Sequence, residues 1–400
     1  MNRWVVLLLV LPVLLAAGCG QPSAPAVGSG DTFTFGVILP GTYNDRGWGA
    51  AHYEAGQYVE QSMPGTRMVY IDNVNPGARP GVTVPQVVDL LAAQGARLII
   101  AASEEFCDGV IEAAQAHPDL YFISVGSDIA WREGKAYRAP ANVSNLFGRM
   151  VYGKMIGGYA AGMTTQTGKI GYVGPLVNAE SRRLAAATYL GARDAWVNER
   201  HQDPARLQFI VSWIGFWFNI PGQTLDPSKV SDEFFATGCD VIVSGINTTE
   251  ALVEAGRLRR AGHNVYAVPY DYHDAGREAA DASLGVPYFN WGPSYAAAVA
   301  MAREQRWQQS FSWPAPYWPD INDRTRSSVG FTRGEALSPA ANAALDRFIA
   351  GLGDGSSNLF RGPLNYQDGS VFLRDGEIAT DQQIWYLPHL LQGMTGASAQ

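Results

Sequence analysis

Cysteine is scarce in this 400-residue chain: Cys19, Cys107 and Cys239 are all there is, too few for a disulfide framework. No C-x-x-C pair, H-E-x-x-H or His-x-x-x-His spacing occurs, so an ordinary zinc site is not expected. Lysine is rarer than the size suggests, with only Lys135, Lys154, Lys169 and Lys229, and no basic run compensates. With Lys+Arg 29 against Asp+Glu 37 the formal net charge is -8. Such a chain is a poor partner for nucleic acid, whose affinity comes from phosphate neutralisation. Patterned nucleophiles are missing too: there is no G-x-S-x-G and no P-loop, and the histidines pair with no Ser or Cys motif,. An enzyme using His273 between Asp271 and Asp274 is the rival reading to a binding protein; a polar loop tip is the plainer account of that cluster. No cofactor is expected. What is present is a globular composition, 47% hydrophobic and 16% charged, enough for one large or two medium cores.

The first segment, MNRWVVLLLVLPVLLAAGC, has a basic Arg3, an apolar stretch from Val5 to Ala17 and the small residues Ala16-Ala17-Gly18 before Cys19. The apolar stretch falls short of the roughly 20 residues a spanning helix needs, so residues 1–18 read as a signal peptide. Leu15-Ala16-Ala17-Gly18-Cys19 resembles a bacterial lipobox, with Leu15 one place earlier than the consensus prefers. Lipidation of Cys19 would anchor the chain to a membrane; an ordinary secretory signal with an incidental cysteine is the alternative. Residues 19–32, rich in Pro, Gly, Ser and Ala, read as a flexible tether.

From Phe33 onward short β-rich runs (FTFGVIL, MVYI, RLIIAAS, LYFISVG) alternate with helical patterns (AAHYEAGQYVEQ, TVPQVVDLLAAQ, DGVIEAAQAH), punctuated at Met63-Pro64-Gly65, Gln94-Gly95 and His117-Pro118. That alternation implies βαβ units and parallel sheets. A glycine-rich helix, GRMVYGKMIGGYAAGM, follows, and the pattern restarts at KIGYVGP. Gly36 and Gly171, Pro40 and Pro175, and Gly56 and Gly191 are each 135 apart, at corresponding places in strand, strand end and helix. Two α/β lobes in tandem are expected, the first made of 33–146 plus about 269–310, the second of 147–268 plus about 311–393, with 394–400 a tail. Cys107 and Cys239 lie beside apolar strand patterns and read as buried free thiols. The Trp/Pro-rich stretch 311–331 reads as packing on the second lobe.

Open α/β sheets bind ligands outside the carboxyl ends of their strands. The corresponding loops carry Trp48, Phe106, Phe216, Trp217, Phe218, Tyr270 and Tyr272, flat faces suited to a heteroaromatic ring. Phe216 and Phe218 read more readily as core. Trp48, between Gly47 and Gly49, reads as site, with core as its alternative. Ser103, Glu104 and Gly245 stand at strand ends and join the candidate ligand-binding set; Glu104 is a candidate acceptor for base N–H groups or else a solvated strand-end charge.

The glycine-rich helix running into TGKIGYVGP, the ATGCDVIVSG strand, the strand-end Asp271 and the ending FRGPLNYQDGSVFL, together with the lipobox, resemble the basic-membrane-protein (Bmp/PnrA-like) family, substrate-binding lipoproteins of ABC importers. The resemblance runs from Phe33 to about Gly393. It implies a type I periplasmic binding protein fold, with two Rossmann-like lobes, a three-segment hinge and closure around a small molecule, in this family often a purine nucleoside. It further implies an extracytoplasmic, monomeric protein with ABC permease partners. Carried over residue by residue, it makes Trp48 of Asp45-Arg46-Gly47-Trp48-Gly49 and Trp217 the rings that sandwich the base, and Asp271 the carboxylate that grips ribose hydroxyls. Asp45 and Asp271 each have helix capping as the alternative. The chain departs from the family where Leu39 replaces an Asp, where Gly49 replaces an Asn, and around Tyr288-Phe289-Asn290-Trp291, where a lysine is missing and none of the four lysines is near in sequence. Asn290 is the candidate replacement. A sugar-binding protein of the same fold is the runner-up.

Overall fold

The first strand of the computed structural model, which describes residues 32–399, starts where the tether ends. In chain order the first half comprises β1 (Phe33–Ile38), α1 (Trp48–Ser62), β2 (Thr66–Ile71), α2 (Val84–Ala93), β3 (Ala96–Ala101), α3 (Cys107–Ala116), β4 (Tyr121–Val125), β5 (Val143–Leu146) and α4 (Val151–Thr164). The second comprises β6 (Lys169–Gly174), α5 (Ala179–Asp194), β7 (Gln208–Trp213), α6 (Pro227–Ala236), β8 (Val241–Ser244), α7 (Glu250–Arg260), β9 (Tyr266–Val268) and β10 (Gly285–Phe289). Then come α8 (Gly292–Arg303), β11 (Phe311–Ser312), β12 (Val329–Arg333), α9 (Pro339–Asp354), β13 (Leu364–Asn365), β14 (Val371–Leu373), α10 (Asp381–Trp385) and β15 (Met394–Thr395).

Two parallel sheets result, ordered β11-β5-β4-β3-β1-β2 and β15-β7-β6-β8-β9. The shared core order, in which β2-β1-β3-β4 matches β7-β6-β8-β9, is the repeat that the 135-residue spacing implied. The central strands are apolar runs because helices cover both faces: every residue of β1 is buried, as is every residue of β8. Gly-rich α4 follows from its neighbour. A Cβ on Gly158 would lie 2.0 Å from the Thr188 carbonyl oxygen, and one on Gly191 2.0 Å from that of Met155, so α4 and α5 touch backbone to backbone.

The lobe boundaries differ from the sequence division at three places. Residues 269–289 stay with the second lobe, because Ala279 and Ala282 fill apolar space against Leu252 and Ala255 of α7, and β10 pairs antiparallel with β12. The chain returns to the first lobe only at α8, whose Gly292 packs on Tyr58 of α1. Phe311–Ser312 extends the first sheet beside β5, with Phe311 stacked 4.5 Å from Trp131; the Trp/Pro-rich stretch therefore bridges the lobes rather than packing on the second alone. Part of the expected tail is β15, which pairs with β7 because Met394 is apolar and buried. Three segments cross between lobes, at β5–α4, β10–α8 and β11–β12. Cys107 and Cys239 are both free, but Cys107 is only half-buried, since it opens α3 beside Asp108 and Arg138.

Candidate functional site

The carboxyl ends of the two sheets face one another across a narrow cleft. The first lobe lines it with Pro40, Trp48, Ser103, Glu104 and Gly126, the second with Glu180, Trp217, Asn247 and Tyr270. The lobes are closed on each other. Asn178 Nδ2 donates to Glu104 Oε2 at 3.3 Å, and Trp217 Nε1 to Glu105 Oε1 at 2.9 Å. At Gly47 the approach is so tight that a Cβ would sit 1.6 Å from the Asn247 carbonyl oxygen.

The first-lobe wall is built largely as core. Trp48 opens α1 with its indole N–H donated to the Ala102 carbonyl at 2.7 Å. Its ring meets Trp291 at 5.4 Å, Phe289 at 5.3 Å and His52 at 4.5 Å, in edge-on or steeply tilted geometry. It is thus both cleft wall and the outer face of a buried aromatic cluster. Asp45 is fully engaged: its carboxylate accepts N–H bonds from Gly47 at 2.8 Å and from Gly49 and Ala50 at 2.9 Å, which holds the first turn of α1. Burial pushes this carboxyl up and those donors pull it down. Of the two readings for Asp45, capping is what the geometry presents. Glu104 differs: burial and the neighbouring Glu105 and Asp128 push its carboxyl up to about 7 against the pull of Arg183.

The second-lobe wall is polar. Asn178 caps α5 through Ser181 N–H at 2.8 Å, which leaves the Glu180 carboxyl free on the cleft side of the first turn. Burial pushes it up to about 8, opposed by Arg183 and reinforced by Glu104. Deeper in, Lys154 of α4 is fully buried. Its Nζ donates to the Ser244 carbonyl at 2.6 Å and lies 3.2 Å from the centre of the Tyr270 ring, a cation–π contact. Burial pulls its ammonium down to about 7, with Asp271 and Glu180 acting the other way. Asp271 is fully buried with neither carboxyl oxygen hydrogen-bonded, and burial holds its carboxyl well above the usual range despite Lys154. Its φ of 74° is left-handed, a conformation non-glycine residues rarely adopt. The peptide is bracketed by bonds from its N–H to the Pro287 carbonyl at 3.2 Å and from Phe289 N–H to its own carbonyl at 3.1 Å. Strain of this kind concentrates at functional sites, and a turn that caps no helix leaves the side chain without a structural duty.

Of the sequence-derived set, Trp48, Ser103, Glu104 and Trp217 line the cleft, and Asp271 follows directly on the wall residue Tyr270. Asp45, Gly245 and Asn290 do not line it, nor does the fully buried Asp271 itself. Gly245 is glycine because a Cβ would meet the Tyr172 hydroxyl at 2.3 Å, and its N–H is taken by the Val173 carbonyl. Asn290 donates both amide hydrogens to the carbonyls of Arg324 and Ser327, tying β10 to the bridging stretch. Phe216 and Phe218 pack edge-on at 5.0 Å, outside the cleft. Glu180, Asn247, Arg183 and Lys154 were missed. Lys154 is hidden in the sequence by a glycine-rich apolar helix; a lone lysine inside such a helix was the available signal. Cys19 lies outside the described residues.

Among the described residues no His/Cys/Asp/Glu group could hold a metal ion, and no helix is long and apolar enough to cross a membrane. Residues 33–282 match the family model described as ABC transporter substrate-binding protein PnrA-like (Bmp). A purine-binding protein of Brucella abortus (strain 2308) is 23% identical over 373 residues, covering 93% of this chain and 95% of its own. A Haloferax volcanii protein named as an ABC transporter glucose-binding protein is 24% identical over 360 residues, covering 87% and 82%. Among solved structures, an ABC transporter solute-binding protein from Aeropyrum pernix K1 superposes with a TM-score of 0.64 at 10% identity, over 90% of this chain and 100% of that one. One from Conexibacter woesei gives 0.57 at 17%, over 81% and 97%. The fold is that of the type I periplasmic solute-binding proteins. With more than half its length matched, the chain belongs to the Bmp family of PnrA-like ABC transporter substrate-binding proteins.

Proposed function

We propose that this substrate-binding protein takes a purine base or nucleoside into the cleft between Trp48 and Trp217, closes over it, and presents the closed form to an ABC permease from the outer face of a membrane to which lipidated Cys19 tethers it. One observation carries the reading: the cleft sets an aromatic face from each lobe beside carboxyl groups that lack strong partners. Both indole N–H groups are already donated to protein acceptors, so the rings offer faces and edges rather than donors. Stacking on a base is worth about 1–3 kcal/mol. Asp271, whose carboxyl oxygens accept no hydrogen bond, is the acceptor for a ribose diol, and it holds those hydroxyls most strongly in its ionised form. Closure follows from the three crossing segments and creates the surface that a permease reads; no chemistry on the ligand is needed. The similarity to a purine-binding relative supports the choice.

A sugar is the second reading, favoured by the glucose-binding relative and by the capacity of the same carboxyls to accept sugar hydroxyls. A thermal-shift screen of the protein against purine and pyrimidine bases, nucleosides and common sugars separates the two. Ligand at 100 Kd stabilises by about 2.7 kcal/mol. A shift confined to purines is the expected result, and a shift with glucose or ribose alone would replace the purine by a sugar.

A further inference from the structure

The two lobes bring a pair of carboxyls into the cleft from opposite sides, and only one of them was legible in the sequence. Glu104 reaches in from the turn after β3 and Glu180 from the first turn of α5. Glu180 is 5% exposed, and among the described residues no group donates a hydrogen bond to its carboxyl. Its nearest cation, Arg183 Nη2, is 3.8 Å away, outside hydrogen-bond range; the Arg183 Nη1 bond goes instead to the Trp385 carbonyl at 3.1 Å. Helix capping does not occupy Glu180 either, since Asn178 does that. A buried acceptor without a donor costs free energy that a bound donor recovers.

We propose that Glu180 is a specificity-determining residue of the ligand site, and that with Glu104 it selects a purine presenting adjacent N–H donors, as guanine does, over one presenting a lone pair beside its amine, as adenine does. The inference rests on the purine reading above. A carboxylate accepts two parallel N–H bonds from a ring N–H and the neighbouring exocyclic amine, a charge-assisted bidentate pair. Against adenine an ionised carboxylate oxygen faces a ring lone pair, whereas the protonated acid can pair with it. Discrimination for guanine therefore belongs to the ionised pair and is read at pH 8, where buried polar groups left unmatched by adenine discriminate strongly.

Charge around Glu180 sets the proton balance. Arg183 of α5 and Lys154 of α4 favour its ionised form, while Glu104 and Glu105 oppose it; Asp271, Tyr270 and Tyr172 stand on the same side of the cleft, each with its own titration pushed up partly by Glu180. Burial favours the protonated form of both carboxyls, so a ligand that donates N–H bonds displaces protons on binding. Binding of a guanine-type ligand therefore releases protons and tightens from pH 6 to pH 8, whereas adenine-type binding does not.

The test is isothermal titration of the full-length protein with guanosine and adenosine, in buffers of different ionisation enthalpy, for wild type, Glu180→Gln and Glu104→Gln. Wild type is expected to bind guanosine at least about tenfold more tightly, with proton release, and Glu180→Gln to bring the two nucleosides within about threefold while reducing the release. Equal or inverted discrimination by wild type overturns the proposal without any variant, as does a Glu180→Gln protein that keeps wild-type discrimination. If neither nucleoside binds while glucose does, the purine reading itself has failed and this inference falls with it.

Discussion

The two walls of the cleft come from equivalent parts of a repeated lobe, yet they are made of different material. Asp45 and Glu180 stand 135 residues apart, the same spacing as the paired glycines and prolines. Asp45 is bound to three backbone N–H groups; Glu180 is bound to none, because Asn178 caps its helix. The aromatic walls divide likewise: Trp48 belongs to a cluster with Trp291, Phe289 and His52, whereas Trp217 is half-exposed and held by a single bond to Glu105. Trp48 and Asp45 of the first wall are therefore part of the folded framework, whereas Trp217 and Glu180 of the second have few partners in the fold. A substitution at Trp48 or Asp45 should register in stability, and one at Trp217 or Glu180 mainly in binding.

The largest effect that could break this contrast is Trp48→Ala, which empties a buried aromatic site and should cost about 3–5 kcal/mol of stability by chemical denaturation. Trp217→Ala should leave the unfolding midpoint nearly unchanged; equal losses for the two would erase the distinction. Closure itself is tested by Gly47→Val. Its side chain would collide with the Asn247 carbonyl across the cleft, and strain of about 3 kcal/mol in the closed state lowers affinity by about 100-fold with little change in folding. Unchanged affinity would mean that the lobes need not approach so closely. For Trp217→Ala, calorimetry should read a loss of about 1–3 kcal/mol in ligand binding.

Smaller effects sharpen the carboxylate comparison. Asp45→Ala should lose about 1 kcal/mol of stability and Asp45→Asn much less, since Asn caps nearly as well; a full loss in the Asn variant would point to a duty beyond capping. Glu180 carries a pH signature instead. Its carboxyl is raised from 4.5 to about 8 in the folded chain, so between those values the folded state holds a proton that the unfolded chain has released. Its contribution to stability therefore falls as pH rises through that window. Glu180→Gln should flatten the slope measured by thermal unfolding and be the more stable protein at pH 8; an unaltered slope would show that Glu180 is not the buried group responsible.

Strand and helix alternation, the tandem repeat and the glycine-rich crossing helix were legible because each is a local pattern, and the short α4–α5 contact is what such glycines are for. Trp48, Glu104 and Trp217 were legible as strand-end residues in a fold whose ligands lie there. The two-residue strands β11 and β15 were not, since their identity lies in long-range pairing with β5 and β7 and carries no periodicity. Asn290 had the right type and neighbourhood for a ligand, but its amide is committed to carbonyls 34 and 37 residues away, a fact no spacing encodes. Lys154 sits at a helical position that reads as core, and only the packing of α4 against the second lobe places its ammonium over Tyr270.

The central claim is that the closed cleft holds a purine between its two walls. A crystal structure of the protein with guanosine tests it most directly. The account predicts the base between Trp48 and Trp217, with Glu104 and Glu180 each within about 2.7–3.1 Å of a base nitrogen and the ribose towards Asp271. A nucleoside bound elsewhere, or a cleft that accepts only glucose, would contradict it.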